Sequence, residues 1–213
     1  MHKREQSLEA SVGWSESNRE AELATTILLV RHGVHGDLGE RLTGRGPEGG
    51  LTAAGRAQVE QLAAELAVEP VAAIYTSPRV RTHQTAGAIA LRHGLAVVTS
   101  EALDEIDFGD WTGRSFAELH GQPDWERWNS RRSDARCPRG ESMAEAAERA
   151  AAFVDEVTAR HDGRSAVLVT HCDIIRALLC REHGKSLDDI LSFEAEPASV
   201  TRLHWAGAQR VAA

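Results

Sequence analysis

The run Thr26-Ile27-Leu28-Leu29-Val30, cut off by Arg31-His32-Gly33, constrains this chain more than any other segment. An apolar stretch with no polar alternation reads as a buried strand, covered on both faces. Gly33 lets the chain turn sharply with no Cβ in the way. The turn beyond the carboxyl end of such a strand is where open α/β folds place ligands. Arg31 and His32 put a fixed cation beside an imidazole at that point, a pairing suited to phosphate. The triplet alone is a weak signal, because a single histidine after a strand is more often structural.

The rest of the chain alternates strand and helix. A Gly-rich polar loop, 33–50, leads to a helix that Thr52 caps, with Val59, Leu62, Ala63 and Leu66 as its apolar stripe. Val71–Tyr75 reads as a second strand closed by Thr76-Ser77-Pro78, and a helix follows from about Arg79 to His93. Leu95–Val98 reads as a third strand. The segment 103–139 reads as irregular and is rich in tryptophan. Ser142 and Glu145 form the two ends of a capping box that opens a long amphipathic helix to about His161. Ala166–Thr170 is a fourth strand, Cys172–Glu182 the helix after it, and Val200–Trp205 an edge strand. This alternation predicts an α/β fold: a three-layer α/β/α sandwich around a mostly parallel sheet. One domain over residues 25–206 is expected, between a polar extension (1–24) and a short tail (207–213).

The 213 residues and 42% apolar content are enough for a substantial core. No apolar run approaches the roughly 20 residues that cross a bilayer, and the N-terminal segment has no apolar core of a secretion signal. A net charge of −8 argues against general affinity for nucleic acid or anionic membranes. It leaves room for a small anionic substrate at a locally cationic site. Cys137, Cys172 and Cys180 are an odd set without metal-like spacing, so a reducing, cytoplasmic setting is the default. Cys172 follows a histidine, but nothing marks it as an activated thiol.

Three of the strands end in residues suited to phosphate chemistry: Arg31-His32, then Ser77 with Arg81 a turn into its helix, then His171 at a helix N-terminus. In a parallel sheet these ends share one edge. Arginine forks and a helix N-terminus both favour phosphate oxygens. The acid that such chemistry needs is left open by spacing, since Asp104, Glu105, Asp107 and Asp110 all lie close together.

From Thr26 to Trp205 the chain resembles the histidine phosphatases, the phosphoglycerate-mutase-like superfamily. The motifs occur in family order: Leu29-Val30-Arg31-His32-Gly33, Leu51-Thr52-x-x-Gly55-x-x-Gln58 and Ser77-Pro78-x-x-Arg81-x-x-Gln84-Thr85-Ala86. Leu103-x-Glu105-x-x-Phe108-Gly109-x-Trp111-x-Gly113, Gly140-Glu141-Ser142 and Val169-Thr170-His171 follow. The resemblance implies His32 as nucleophile through a phosphohistidine, with Arg31, Arg81 and His171 binding the phosphoryl oxygens. It selects Glu105 as general acid and base, expected to be partly buried beside Phe108 or Trp111. It implies no metal and no cofactor, a small phosphorylated substrate, and often a dimer.

The chain departs from the family pattern after Gly33. A Glu or Gln, a hydroxyl and an amide usually follow there, where this chain has Val34-His35-Gly36-Asp37-Leu38. His35, Thr43 and Gly44 are therefore expected to help hold the substrate, with Asp37 a poor neighbour for phosphate. Phe108-Gly109-Asp110-Trp111 resembles the phosphatase branch, so hydrolysis of a small phosphomonoester is the first reading. A cofactor-dependent phosphoglycerate mutase is the second, and a non-catalytic phospho-ligand binding protein the third. Arg45, Glu48 and the segment with Trp111, Trp125, Trp128, Arg127, Arg131, Arg132 and Arg136 stand either as a substrate lid or as a satellite core. Arg176 reads as an ion-pair partner.

Overall fold

The computed structural model describes residues 25–205 except Glu48 and Asp162; the polar extension and the tail lie outside the described residues. Its elements are β1 (Thr26–Arg31), α1 (Ala53–Leu66), β2 (Val71–Thr76), α2 (Val80–His93), β3 (Val97–Thr99), α3 (Phe116–Leu119) and α4 (Pro123–Ser130). They continue with α5 (Met143–Arg160), β4 (Ser165–Thr170), α6 (Cys172–Glu182) and β5 (Val200–His204). The sheet runs β3-β2-β4-β1-β5. β4 pairs in parallel with β1 and β2, and β2 with β3, while β5 is antiparallel to β1.

Strand periodicity divides β1 between two cores. Leu28 and Val30 pack with Leu62 and Leu66 of α1 and Ile89 of α2. Ile27 and Leu29 pack on the opposite face with Ala150 and Val154 of α5 and Ile175 of α6. All four β1 side chains are fully buried, which is why the run tolerates no polar alternation. Each such aliphatic side chain gains about 1.5–3 kcal/mol over exposure, before the entropy of ordering it. The three-layer α/β sandwich expected from the alternation is the architecture found. No helix among the described residues is long and apolar enough to cross a membrane.

Local chemistry sets most boundaries as expected. Thr52 Oγ1 accepts from Gly55 N at 3.0 Å, and Ser142 and Glu145 form a full capping box. Two expectations need correction. The third strand begins at Val97, not Leu95, because Leu95 N bonds back to Ala90 O at 3.2 Å and closes the end of α2. The segment 103–139 is not wholly irregular: it holds a 3₁₀ turn at Gly109–Trp111 and the short helices α3 and α4. Their start signals are a Ser115–Glu118 capping box and Pro123 in the first turn of α4.

One close approach positions the first loop. A Cβ on Gly55 would lie 2.0 Å from Val34 O, and one on Gly33 would lie 2.8 Å from Gly55 O. The loop after β1 therefore rests directly on the first turn of α1, backbone against backbone.

Candidate active site

The parallel register brings three strand ends level. Arg31 pairs with Thr170, and Thr76 with Val169. Beyond them His32 N bonds Thr170 O at 3.2 Å and Ser77 N bonds Val169 O at 3.0 Å. His32, Ser77 with Arg81 from α2, and His171 at the head of α6 thus converge. A cavity of about 150 Å³ opens there, lined by Arg31, His32, His35, Thr43, Gly44, Arg81 and Glu105 on its inner side. Leu38, Gly39, Arg41, Leu42, Phe108, Phe116, Cys172 and Asp173 complete it. Arg31 Nη1 donates to Ala195 O at 2.6 Å, while its buried Nε has no partner among the described residues. A donor of that kind beside a cavity suits an anion.

Hydrogen bonds fix the protons of the two central histidines. His32 Nδ1 lies 2.9 Å from Gly33 O, a group that only accepts, so Nδ1 carries the hydrogen. Its Nε2 then holds a lone pair and accepts from Arg81 Nε at 3.2 Å. Burial, and then the Arg81 guanidinium, hold His32 well below the ordinary histidine range. It is neutral at neutral pH, with an unprotonated nitrogen beside a cation. His171 lies with its ring centroid 5.3 Å from that of His32 and is likewise kept neutral, first by burial and then by Arg81.

Of the four neighbouring acids, only Glu105 lines the cavity. Asp104 is buried against Arg79 and Arg45, Asp107 accepts from Gly109 N at 2.9 Å, and Asp110 pairs with the exposed Arg139. Burial and the nearby Asp173 charge raise Glu105 from 4.5 to about 7. Phe108 lines the cavity with it, while Trp111 is buried in the core. The backbone of Glu105 is tied down by Arg45 Nε at 2.7 Å and Arg149 Nη2 at 3.1 Å, both donating to its carbonyl. Among the described residues no group of three His, Cys, Asp or Glu side chains is placed to hold a metal ion.

A sequence profile of the histidine phosphatase superfamily (branch 1) matches residues 27–213. The chain belongs to that family. It is 34% identical over 156 residues to phosphoserine phosphatase 1 of Hydrogenobacter thermophilus, covering 72% of this chain and 74% of that one. It is 31% identical over 173 residues to phosphoglycerate mutase-like protein 4 of Arabidopsis thaliana, covering 78% and 75%. Among solved structures, the mycobacterial glucosyl-3-phosphoglycerate phosphatase superposes with a TM-score of 0.76 at 27% identity, over 84% of this chain and 89% of that one.

In this histidine phosphatase the altered loop after Gly33 places His35 against the central histidine, ring centroids 5.3 Å apart and edge to face. Asp37 does not line the cavity; its carboxylate accepts from Thr43 Oγ1 at 3.4 Å. Gly44 O accepts from Arg81 Nη2 at 3.0 Å. The tryptophan-rich segment is a satellite core, not a lid: Trp111 and Trp128 are buried, and Trp125 packs edge-on against Trp111. Its arginines are held in ion pairs, Arg132 with the cavity-lining Asp173, Arg136 with Glu145, and Arg127 and Arg131 with Asp134. Glu48 lies outside the described residues, and Arg45 braces Glu105 and Glu141 without lining the cavity.

Cys172 does line it, but burial pushes its thiol up to about 11, so it is not a thiolate nucleophile at neutral pH. Arg176 donates to Phe193 O at 2.9 Å and faces Asp173, as an ion-pair partner would. Residues the sequence did not single out are Arg149, Asp173, Leu38, Arg41 and Phe116. A half-buried arginine in α5 carries no local signal, and Leu38, Arg41 and Phe116 lie just past the motifs that end at Gly33 and Gly113 and reach the cavity only through the path of their loops.

Proposed function

We propose that this protein is a phosphatase that hydrolyses a small phosphomonoester through a phosphohistidine on His32. The observation that carries the reading is the bare Nε2 of His32, fixed by its Nδ1–H to the Gly33 carbonyl and facing Arg81. That nitrogen attacks phosphorus as the P–O bond to the leaving group breaks. Glu105, protonated below about 7, gives its proton to the departing alkoxide. It then takes a proton from the water that cleaves the P–N bond, releasing phosphate. Arg31, Arg81 and His171 hold the equatorial oxygens, and such positioning and charge supply most of the catalysis in phosphoryl transfer. His35, Thr43 and the Gly44 backbone form the near wall for the phosphoryl group. With two arginines at the floor, the charge work needs no metal.

The relatives named for phosphoserine and glucosyl-3-phosphoglycerate support a small, acidic phosphomonoester as the substrate class. A rim mixing Arg41 with Leu38, Leu42 and Phe116 fits a short anionic body. The mutase-like relative keeps one alternative in play, in which the phosphoryl group returns to a second hydroxyl instead of to water. The test is release of phosphate from p-nitrophenyl phosphate in EDTA by wild type and His32→Ala. Chelator-resistant release that the substitution abolishes is the expected result. Activity surviving in His32→Ala would remove His32 as nucleophile. Transfer to 3-phosphoglycerate without net hydrolysis would favour the mutase.

A further inference from the structure

His171 is gripped from both sides of its ring. Its Nε2 lies 2.8 Å from Ser77 Oγ, and the Ser77 hydroxyl donates to Asp104 Oδ1 at 3.2 Å. With its hydrogen committed to the carboxylate, Ser77 can only accept from His171, so Nε2 carries the ring hydrogen. On the other side Arg81 Nη2 stands 3.0 Å from Nδ1, and a guanidinium only donates. The two constraints agree on one tautomer, with the Nδ1 lone pair turned towards Arg81 and, at 3.6 Å, the Glu105 carboxylate, both of which line the cavity. A lone pair repels a phosphoryl oxygen; to hold one, Nδ1 has to gain a proton.

We propose that Ser77 and Asp104 are positioning residues for His171, a buried relay that fixes its tautomer and supports a proton on Nδ1 once a phosphoryl group displaces Arg81 from that atom. The proposal rests on the phosphatase reading above and adds what readies the second histidine. An entering phosphomonoester monoanion passes its proton to Nδ1 and becomes a dianion held by an imidazolium; when a dianion enters, Nδ1 takes that proton from solvent. Either way Nε2–H keeps its Ser77 acceptor, and Asp104 supplies negative charge behind it. The charged and titratable groups facing His171 are Arg79 and Arg81 at the head of α2, Arg149 of α5 and His32 after β1. Asp104 and Glu105 face it from the loop before Phe108. The cations oppose its protonation in the free protein. Asp104 is buried with Glu105 N bonded to Oδ1 at 2.8 Å, so the relay also ties His171 to the backbone of the proposed acid.

The test uses the full chain labelled with 15N-histidine, with inorganic phosphate as the probe. Ring-nitrogen spectra report the tautomer, and calorimetry in buffers of different ionisation enthalpy reports proton uptake. The wild type should show His171 as Nε2–H when free. It should take up about one proton on binding phosphate dianion at mildly alkaline pH. Ser77→Ala should mix the tautomers. Asp104→Asn, which keeps an acceptor for Ser77, should retain the tautomer but lose most of the uptake and bind phosphate about tenfold more weakly. A mere bracing role would lower stability and leave both readouts as in the wild type. Nδ1–H in the free wild type, or an unchanged tautomer in Ser77→Ala, would overturn the relay. The tautomer spectrum needs no ligand, so it decides the relay even if the wild type binds no phosphate, a result that would sink the phosphatase reading instead. Asp104→Asn is close to isosteric and keeps the test alive should Ser77→Ala fail to fold.

Discussion

Two side chains in one cavity are driven in opposite directions by the same burial. Desolvation disfavours charge, so His32 loses its proton readily while Glu105 keeps its own up to about 7. A neutral base beside a neutral acid is the pair that nucleophilic attack with leaving-group protonation requires. The rate on an alkyl phosphate should therefore fall as pH rises through about 7, when Glu105 ionises. Glu105→Gln should lose about 10²–10⁴-fold on such a substrate, and less on p-nitrophenyl phosphate, whose leaving group needs little help. An undiminished rate on the alkyl ester would take Glu105 out of the acid role. Stability should move the same way. The folded protein binds the Glu105 proton more tightly than the unfolded chain does, so this contribution is full below about 4.5 and is lost as pH rises through about 7. The gap is worth roughly 3 kcal/mol. Glu105→Gln should then raise the urea midpoint on the alkaline side and leave it unchanged in acid, a comparison of two unfolding curves.

At the scale of elements, the site depends on one backbone contact between the loop after β1 and the start of α1. Replacing a helical glycine by alanine ordinarily stabilises by up to about 1 kcal/mol. At Gly55 the sign should reverse, because the added Cβ would sit 2.0 Å from Val34 O with only backbone to yield. Gly55→Ala is expected to cost about 1–3 kcal/mol in chemical unfolding. It should also reduce turnover by displacing His32 and His35, and a stabilised variant would refute the contact. Element identities were written in local sequence wherever a cap or periodic stripe was strong, as for Thr52, Ser142 and the β1 run. They were misread at Leu95 and in the segment 103–139. Both follow from short-range bonding: Leu95 belongs to the closing turn of α2, and α3 is too short to show a helical period.

For the molecule as a whole, the tryptophan-rich segment supports the structure from the side. Trp128 is fully buried, packs edge-on against Phe108 and Trp111, and has the Arg132 guanidinium over its ring at 5.3 Å. Trp128→Ala should cost about 3–5 kcal/mol of stability, as large buried aromatics do. The affinity of the remaining folded protein for substrate should change far less; a large rise in KM with unchanged stability would restore the lid. Arg132 continues from Trp128 to Asp173 at the cavity rim, 2.8 Å away, so this outer core also braces one wall of the site. By itself the sequence determined the layered fold and the phosphate-suited strand ends. Strand burial, helix periodicity and capping are local patterns, and parallel strands must align their carboxyl ends. Spacing left the acid open and the motif resemblance pointed to Glu105, which the structure places in the cavity; which arginines are spent on ion pairs and which face of each imidazole carries its hydrogen were decided by the tertiary structure alone. Those outcomes turn on distances of a few ångströms between residues far apart in the chain, such as Ser77 and His171 or Arg149 and Glu105, and no local pattern encodes them.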